Sequence, residues 1–155
     1  AAFFYLLPES GPRPDLTQPI PTELAKLLFS DMGTAVIAAE LYRLGADIEA
    51  AICTRPDPEL AVCLARNRYT SETTQQHLLA RQKLEVHEGL ARFATSLEVL
   101  LKLAERPEWV VRMWLVRRES LPEGLRLRLL EDGDERIRLW AEERGTFGPS
   151  PWTLE

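Results

Sequence analysis

Residues 105–140 read ERPEWVVRMWLVRRESLPEGLRLRLLEDGDERIRLW. The stretch says nearly the same thing twice, because Val111-Arg112 and Ile137-Arg138 each open an apolar run that ends in charge. Each pair has an apolar partner four residues on, Val111/Leu115 and Ile137/Ala141, a spacing that puts both members on one helix face. The same pairing recurs upstream as Ile37/Leu41, Leu60/Leu64 and Val86/Leu90, at intervals of 23, 26, 25 and 26 residues along the chain. Alternating with these anchors are short Leu-rich segments, TELAKLL, DIEAAIC, TTQQHLL, LEVLLKL and GLRLRLL. A fixed period of this length with one supersecondary unit per period predicts an all-α solenoid of about five units, each too small to bury its own apolar face and each serving as its neighbour's core. An irregular helical bundle with coincident spacings is the alternative. No persistent period-two alternation bounded by hairpin turns occurs, so strands are not expected.

Working outward, the repeats are expected over residues 21–144. Five prolines among the fourteen residues 8–21 mark an extended arm, since proline fixes φ and removes a donor. Residues 1–20 therefore form an N-terminal arm, whose apolar Phe3, Phe4, Tyr5, Leu6 and Leu7 are expected to cover the first unit or a partner; residues 145–155 form a tail. The chain has 155 residues, 45% of them hydrophobic and 28% charged, a composition that sustains a folded core. Its net charge of -5 speaks against general nucleic-acid binding unless basic residues are segregated. Two cysteines, Cys53 and Cys63, build no disulfide framework, and a reducing, cytoplasmic setting is expected. No apolar run reaches the length of a membrane span, and AAFFYLL lacks the basic flank of a signal peptide.

The units resemble the leucine-rich repeat variant, a helical-repeat family akin in appearance to the longer HEAT repeats. The resemblance rests on Val111-Arg112, the helix end Arg117-Arg118, the turn Leu121-Pro122, the Leu-rich run Leu125 to Leu130 and the acidic turn Asp132-Gly133-Asp134. In an earlier unit it rests on Asp57-Pro58 and Ala65-Arg66-Asn67. It covers roughly residues 21–144. It implies a right-handed superhelix of α-helices alternating with shorter, often 3₁₀, helices, and little about activity. One member type of the family carries an iron–sulfur cluster in an N-terminal cysteine-rich segment. No cysteine precedes Cys53 here, so no cofactor is expected.

The sharpest candidate site is a ladder of arginines. Arg43, Arg66, Arg92 and Arg117 each stand six residues after a first anchor, in the last turn of the helix. There an arginine caps carbonyls or pairs with an acidic turn as a structural element; alternatively, the stacked guanidinium groups bind an acidic partner or phosphates. A second stripe, one residue after each anchor, runs Ala38, Ala61, His87, Arg112, Arg138 and reads as a solvated face or as a basic surface growing toward the C-terminus. Among the tryptophans, Trp114 and Trp140 read as core, whereas Trp109 with Arg112 offers a stacking platform. Cys53, Cys63, His77 and His87 lack the close ligand pairs of a zinc site, so no metal is expected; buried cysteines and surface histidines are the better reading. No phosphate loop, nucleophile elbow or oriented Cys/His pair occurs, so no catalytic residue is assigned. The expectation is a non-catalytic scaffold for a protein partner, using Arg43, Arg66, Arg92, Arg112, Arg117 and Trp109. The alternative is a nucleic-acid-binding repeat protein using the same arginines. No membrane association is expected, and the oligomeric state is left open.

Overall fold

The helices of this chain are short, and four of those described start at a side-chain cap or a proline in the first turn. The computed structural model describes residues 18–147, and among them ten helices and no strand. They are α1 (Thr22–Leu28), α2 (Met32–Leu41), α3 (Ala46–Thr54), α4 (Pro58–Ala65), α5 (Glu72–Leu79), α6 (Leu84–Phe93), α7 (Leu97–Ala104), α8 (Trp109–Arg117), α9 (Glu123–Leu129) and α10 (Glu135–Phe147). Asp31, Ser71 and Ser96 cap α2, α5 and α7 by accepting the N–H groups of Thr34, Thr74 and Val99, and Pro58 opens α4, where a missing donor is harmless. The helices carrying the apolar anchors (α2, α4, α6, α8, α10) run 8–13 residues and the intervening ones (α1, α3, α5, α7, α9) 7–9, and the latter are α-helical rather than 3₁₀. The last helix extends to Phe147, into the segment expected to be tail. The arm residues Phe3 to Leu7 lie outside the described residues, as does Trp152. No helix among the described residues is long and apolar enough to cross a membrane.

Helices this short are marginal alone, so their stability comes from packing. Each anchor helix packs against the next, α2 on α4, α4 on α6, α6 on α8 and α8 on α10, while α3, α5, α7 and α9 pack in succession beside them. The anchors Leu60, Leu64, Val86, Leu90, Val111, Leu115, Ile137 and Ala141 are all completely buried. They meet Leu78, Leu100, Leu103, Leu125 and Leu129 from the intervening helices in one continuous core. The first expected anchor pair is displaced. Ile37 is half-buried and Leu41 is 55% exposed, while Ala35 and Ala39 are buried. With Ala35/Ala39 as the pair, the intervals become 25, 26, 25 and 26 residues, more regular than the spacing read from the larger side chains. Two small alanines hold the place because Tyr42 and Leu44 supply the bulk nearby.

Buried polar side chains tie successive helices together. Ten short helices leave many carbonyls without an intrahelical partner, and on α4, α8 and α10 the residue seven after the anchor supplies donors to the preceding anchor helix. Asn67 Nδ2 donates to the Ala39 and Tyr42 carbonyls at 2.8 and 2.6 Å. Arg118 reaches Ala91 and Ala94 at 3.3 and 2.6 Å, and Arg144 reaches Val116 and Arg118 at 2.9 and 2.8 Å. Burial, with the Arg144 cation nearby, depresses the Arg118 guanidinium to about 10, which leaves it charged at neutral pH. In the other layer, Arg81 donates to the Cys53 and Arg55 carbonyls at the end of α3. Gln75, fully buried, accepts the N–H groups of Thr95 and Ser96 at the start of α7. Glu49 likewise accepts from Ser71 and Thr74 at the start of α5. No described side-chain polar atom is both buried and unpartnered.

Candidate binding strip

The strip is built from the residues six positions after an anchor and, on α8 and α10, those three after it; Ala38 and Gly89 at the latter position are buried. Six after the anchor stand Leu41, Arg66, Arg92 and Arg117, all exposed. Three after it stand Ala38, Cys63, Gly89, Trp114 and Trp140. The two positions meet across neighbouring helices. The Arg92 guanidinium on α6 lies 4.5 Å from the Trp114 ring centroid on α8, and Arg117 on α8 lies 5.8 Å from that of Trp140 on α10. Arg92 also lies over its neighbour Phe93. Neither arginine makes an ion pair or side-chain hydrogen bond among the described residues. Trp114 and Trp140 are half-buried rather than core as expected, with an inner side packed on apolar residues and a guanidinium over the ring. Beside them stand the half-buried Met113 and Leu139, which is 50% exposed. The product is an alternation of cation and indole over three consecutive anchor helices, with apolar side chains along it; each stacked cation is held at about 0.5–1 kcal/mol.

The rest of the expected ladder is distributed otherwise. Arg66 is exposed, and the position it would stack on is Gly89, whose missing side chain lets α6 approach α4: a Cβ there would lie 3.0 Å from that of Ala65. Arg43 stands eight residues, not six, beyond the corrected anchor and lies over Tyr69 at 5.0 Å. Arg112 is turned inward, 2.8 Å from the buried Asp132 carboxylate, and donates to the Arg106 and Pro107 carbonyls. The stripe expected one residue after the anchors is also turned inward, a correction to the solvated face expected there, and its first member Ala38 stands three after the corrected anchor Ala35. Ala38, Ala61 and His87 are buried, and Arg138 donates to the Asp132 carbonyl at 2.5 Å. The platform beneath Trp109 is likewise formed by another residue. Trp109 is 41% exposed, and the guanidinium over it, at 4.4 Å, is that of Arg136, not Arg112. Arg136 is itself held by Asp134 at 2.8 Å, and the Arg136 hydrogen bond pulls the Asp134 carboxyl down to about 2. Trp109 therefore belongs to a saturated cluster at the opposite end of α8 from Arg117.

Chemistry elsewhere is muted. Cys53 and Cys63 are both free and half-buried, and burial raises both thiols above their ordinary range, which disfavours the nucleophilic thiolate. His87 is buried, against the surface position expected, with Nε2 3.2 Å from the Leu79 carbonyl, whereas His77 is exposed. Among the described residues no group of three or more His, Cys, Asp or Glu side chains is placed to hold a metal ion.

Comparison with known protein families, with characterised proteins and with solved structures finds no match. The site therefore stands on its own geometry. Two features of that geometry escaped sequence reading. Large aromatics at helical spacing usually go to the core, which is why the sequence points Trp114 and Trp140 there; their offset of three from each anchor, one position short of the buried fourth, is the signal that separates them from it. The carbonyl clamps Asn67, Arg118 and Arg144 were visible as the second members of the pairs Arg66-Asn67, Arg117-Arg118 and Glu143-Arg144.

Proposed function

We propose that this chain is a non-catalytic binding module that docks a partner protein on the strip formed by α6, α8 and α10. In this reading the helices form a right-handed solenoid of about five periods, resembling the leucine-rich repeat variant arrays. The packing of every second helix on the next supports it, as does the burial of the anchors at 26-, 25- and 26-residue intervals from Leu60 to Ile137. A reducing, cytoplasmic setting accords with two free cysteines. The observation that carries the docking reading is the alternation of the exposed Arg92 and Arg117 with the half-buried Trp114 and Trp140. Tryptophan and arginine are enriched at the energetic centres of protein interfaces, and methionine in interfaces generally.

A second reading, nucleic-acid binding, is favoured by the exposure of Arg66, Arg92 and Arg117 on successive anchor helices. Fluorescence anisotropy with labelled single-stranded DNA, duplex DNA and RNA, at low salt and then through a salt series, separates the two. Docking of a protein predicts no salt-steep binding to any of them. Binding that falls steeply with salt and disappears in a folded Arg92→Glu/Arg117→Glu variant replaces it with the nucleic-acid reading. The docking reading also predicts that a photo-crosslinker at Leu139 gives protein adducts in cells, that one at the exposed Leu27 of α1 does not, and that the double variant loses them.

A further inference from the structure

Resting on the docking reading, we infer that the strip takes an acidic peptide: an extended segment with two carboxylates about three residues apart framing an apolar side chain. The first ground is what the arginines are already doing; Arg66, Arg68 and Arg128 are exposed with neither a polar partner nor a ring among the described residues, so nothing orients them. Arg112 and Arg136 are ion-paired, and Arg81, Arg118, Arg138 and Arg144 are spent on backbone carbonyls. Arg92 and Arg117 hold only rings among the described residues. A guanidinium stacked on an indole has its orientation fixed, while its N–H donors point outward in the plane, the geometry that receives a carboxylate bidentately. Such a cation loses little freedom on binding, because the ring beneath has already ordered it.

The second ground is spacing. Packed helices lie about 8–10 Å apart, so guanidinium groups on consecutive anchor helices stand roughly that far from each other. An extended peptide covers about 3.3–3.6 Å per residue, so three residues bridge them. Met113 and Leu139, next in sequence to Trp114 and Trp140, are the apolar side chains on the same helices that such a peptide could meet. The third ground is where the cations stop. The position six after the anchor on α10 is Glu143, and Glu88 lies on α6. A continuous polyanion following the ladder onto α10 meets Glu143 on a chain of net charge -5, whereas a peptide needs only the two arginines.

The test is a titration of the isotope-labelled full chain, followed by the indole N–H signals of its tryptophans in nuclear magnetic resonance spectra. The probe is the peptide Gly-Asp-Leu-Phe-Glu-Gly with blocked ends, and the control is its neutral counterpart Gly-Asn-Leu-Phe-Gln-Gly. The expected result is saturable movement of the Trp114 and Trp140 signals with Trp109 unmoved. Affinity should be at least tenfold weaker for the neutral peptide and for Arg92→Gln/Arg117→Gln. Arg128→Gln, an exposed change on α9, should leave binding as it is. Thermal melts establish that each variant is folded. Equal affinity for the neutral peptide at the same tryptophans overturns the acidic class and leaves the docking reading standing, as does equal weakening by Arg128→Gln. Movement of Trp109 alone overturns the placement. No movement with either peptide, together with salt-steep nucleic-acid binding, overturns both readings.

Discussion

Arg112→Ala is the substitution that most directly tests the division of labour among the arginines. The Arg112 Nε donates to Asp132 Oδ2 at 2.8 Å, and the two side chains retain only 15% and 5% of their exposure. Its Nη1 donates to the Arg106 and Pro107 carbonyls at 2.6 and 3.0 Å. Removing the guanidinium leaves a buried carboxylate whose remaining partner is the Asp134 N–H at 2.8 Å. Breaking a buried pair from one side costs about 3–5 kcal/mol, against about 0–1 kcal/mol for an exposed pair. The lower end, about 3 kcal/mol, is expected because the turn lies close to water and the Pro107 carbonyl can be rehydrated. At about 2–4 °C per kcal/mol for a chain of this size, the melting midpoint should fall by roughly 6–12 °C. Urea unfolding followed by tryptophan fluorescence gives the free energy. The double variant Arg112→Ala/Asp132→Asn should recover part of the loss, because it removes the orphaned charge, leaving a coupling of roughly 1.5–3 kcal/mol. A single-variant loss below about 1 kcal/mol, or strictly additive losses, refutes the reasoning and returns Arg112 to the surface as a candidate ligand.

Other substitutions probe the remaining ties. Gly89→Ala gains about 1 kcal/mol of helix propensity, but its Cβ would meet the Ala65 Cβ, C and O at 3.0, 3.1 and 3.3 Å. None of these can rotate away, so a lower unfolding midpoint is expected, and a higher one would show that α4 and α6 can separate freely. Gln75→Leu keeps the volume but orphans the Thr95 and Ser96 N–H groups. It should cost about 2–4 kcal/mol by denaturant unfolding, and a neutral result would mean that water replaces the amide. Arg118→Lys keeps the charge but loses the fork that spans the Ala91 and Ala94 carbonyls; a loss of about 1–2 kcal/mol is expected, and equivalence of the two residues in a melt would contradict the clamp. Asp134, held down to about 2 chiefly by Arg136, contributes stability that is fully present above the ordinary aspartate pKa of about 3.9. That stability is lost as pH falls through the folded value. The midpoint difference between wild type and Asp134→Asn should therefore narrow from pH 5 to about pH 2, and a constant difference speaks against the ion pair.

The core was legible because burial follows period. Eight of the ten expected anchor residues, from Leu60 to Ala141, are completely buried. The first unit was misread for a physical reason: Ile37 and Leu41 outrank Ala35 and Ala39 in hydrophobicity, yet α2 turns its small residues toward α4. That shift of two positions carried Arg43 into a ladder to which it does not belong. The site was less legible because adjacent arginines differ in direction, not in composition. One residue is about 100° of helix rotation. Arg117 therefore faces solvent over Trp140 while Arg118 turns back to the carbonyls of α6 and its exit. No compositional reading separates the two; the phase of the buried anchors does.

The strip follows from the same architecture that absorbs the other arginines. Short helices expose carbonyl ends to their neighbours, and a planar group with five donors satisfies several of them at once, which a lysine cannot do. Arginines one and seven residues after an anchor point at those ends and are consumed there. Those six residues after it point past the helix end, and what they meet is set by the third position of the next period. Where that position is Gly89, the helices close up and Arg66 has no ring beneath it. Where it is Trp114 or Trp140, the guanidinium lies over the indole, at 4.5 and 5.8 Å from the ring centroid. The third position is thus taken by a helix-packing glycine on α6 and by tryptophans on α8 and α10, and the docking proposed above would centre on α6, α8 and α10. Exchanging Gly89 for tryptophan would not extend the strip, because α4 and α6 are already too close to admit the ring.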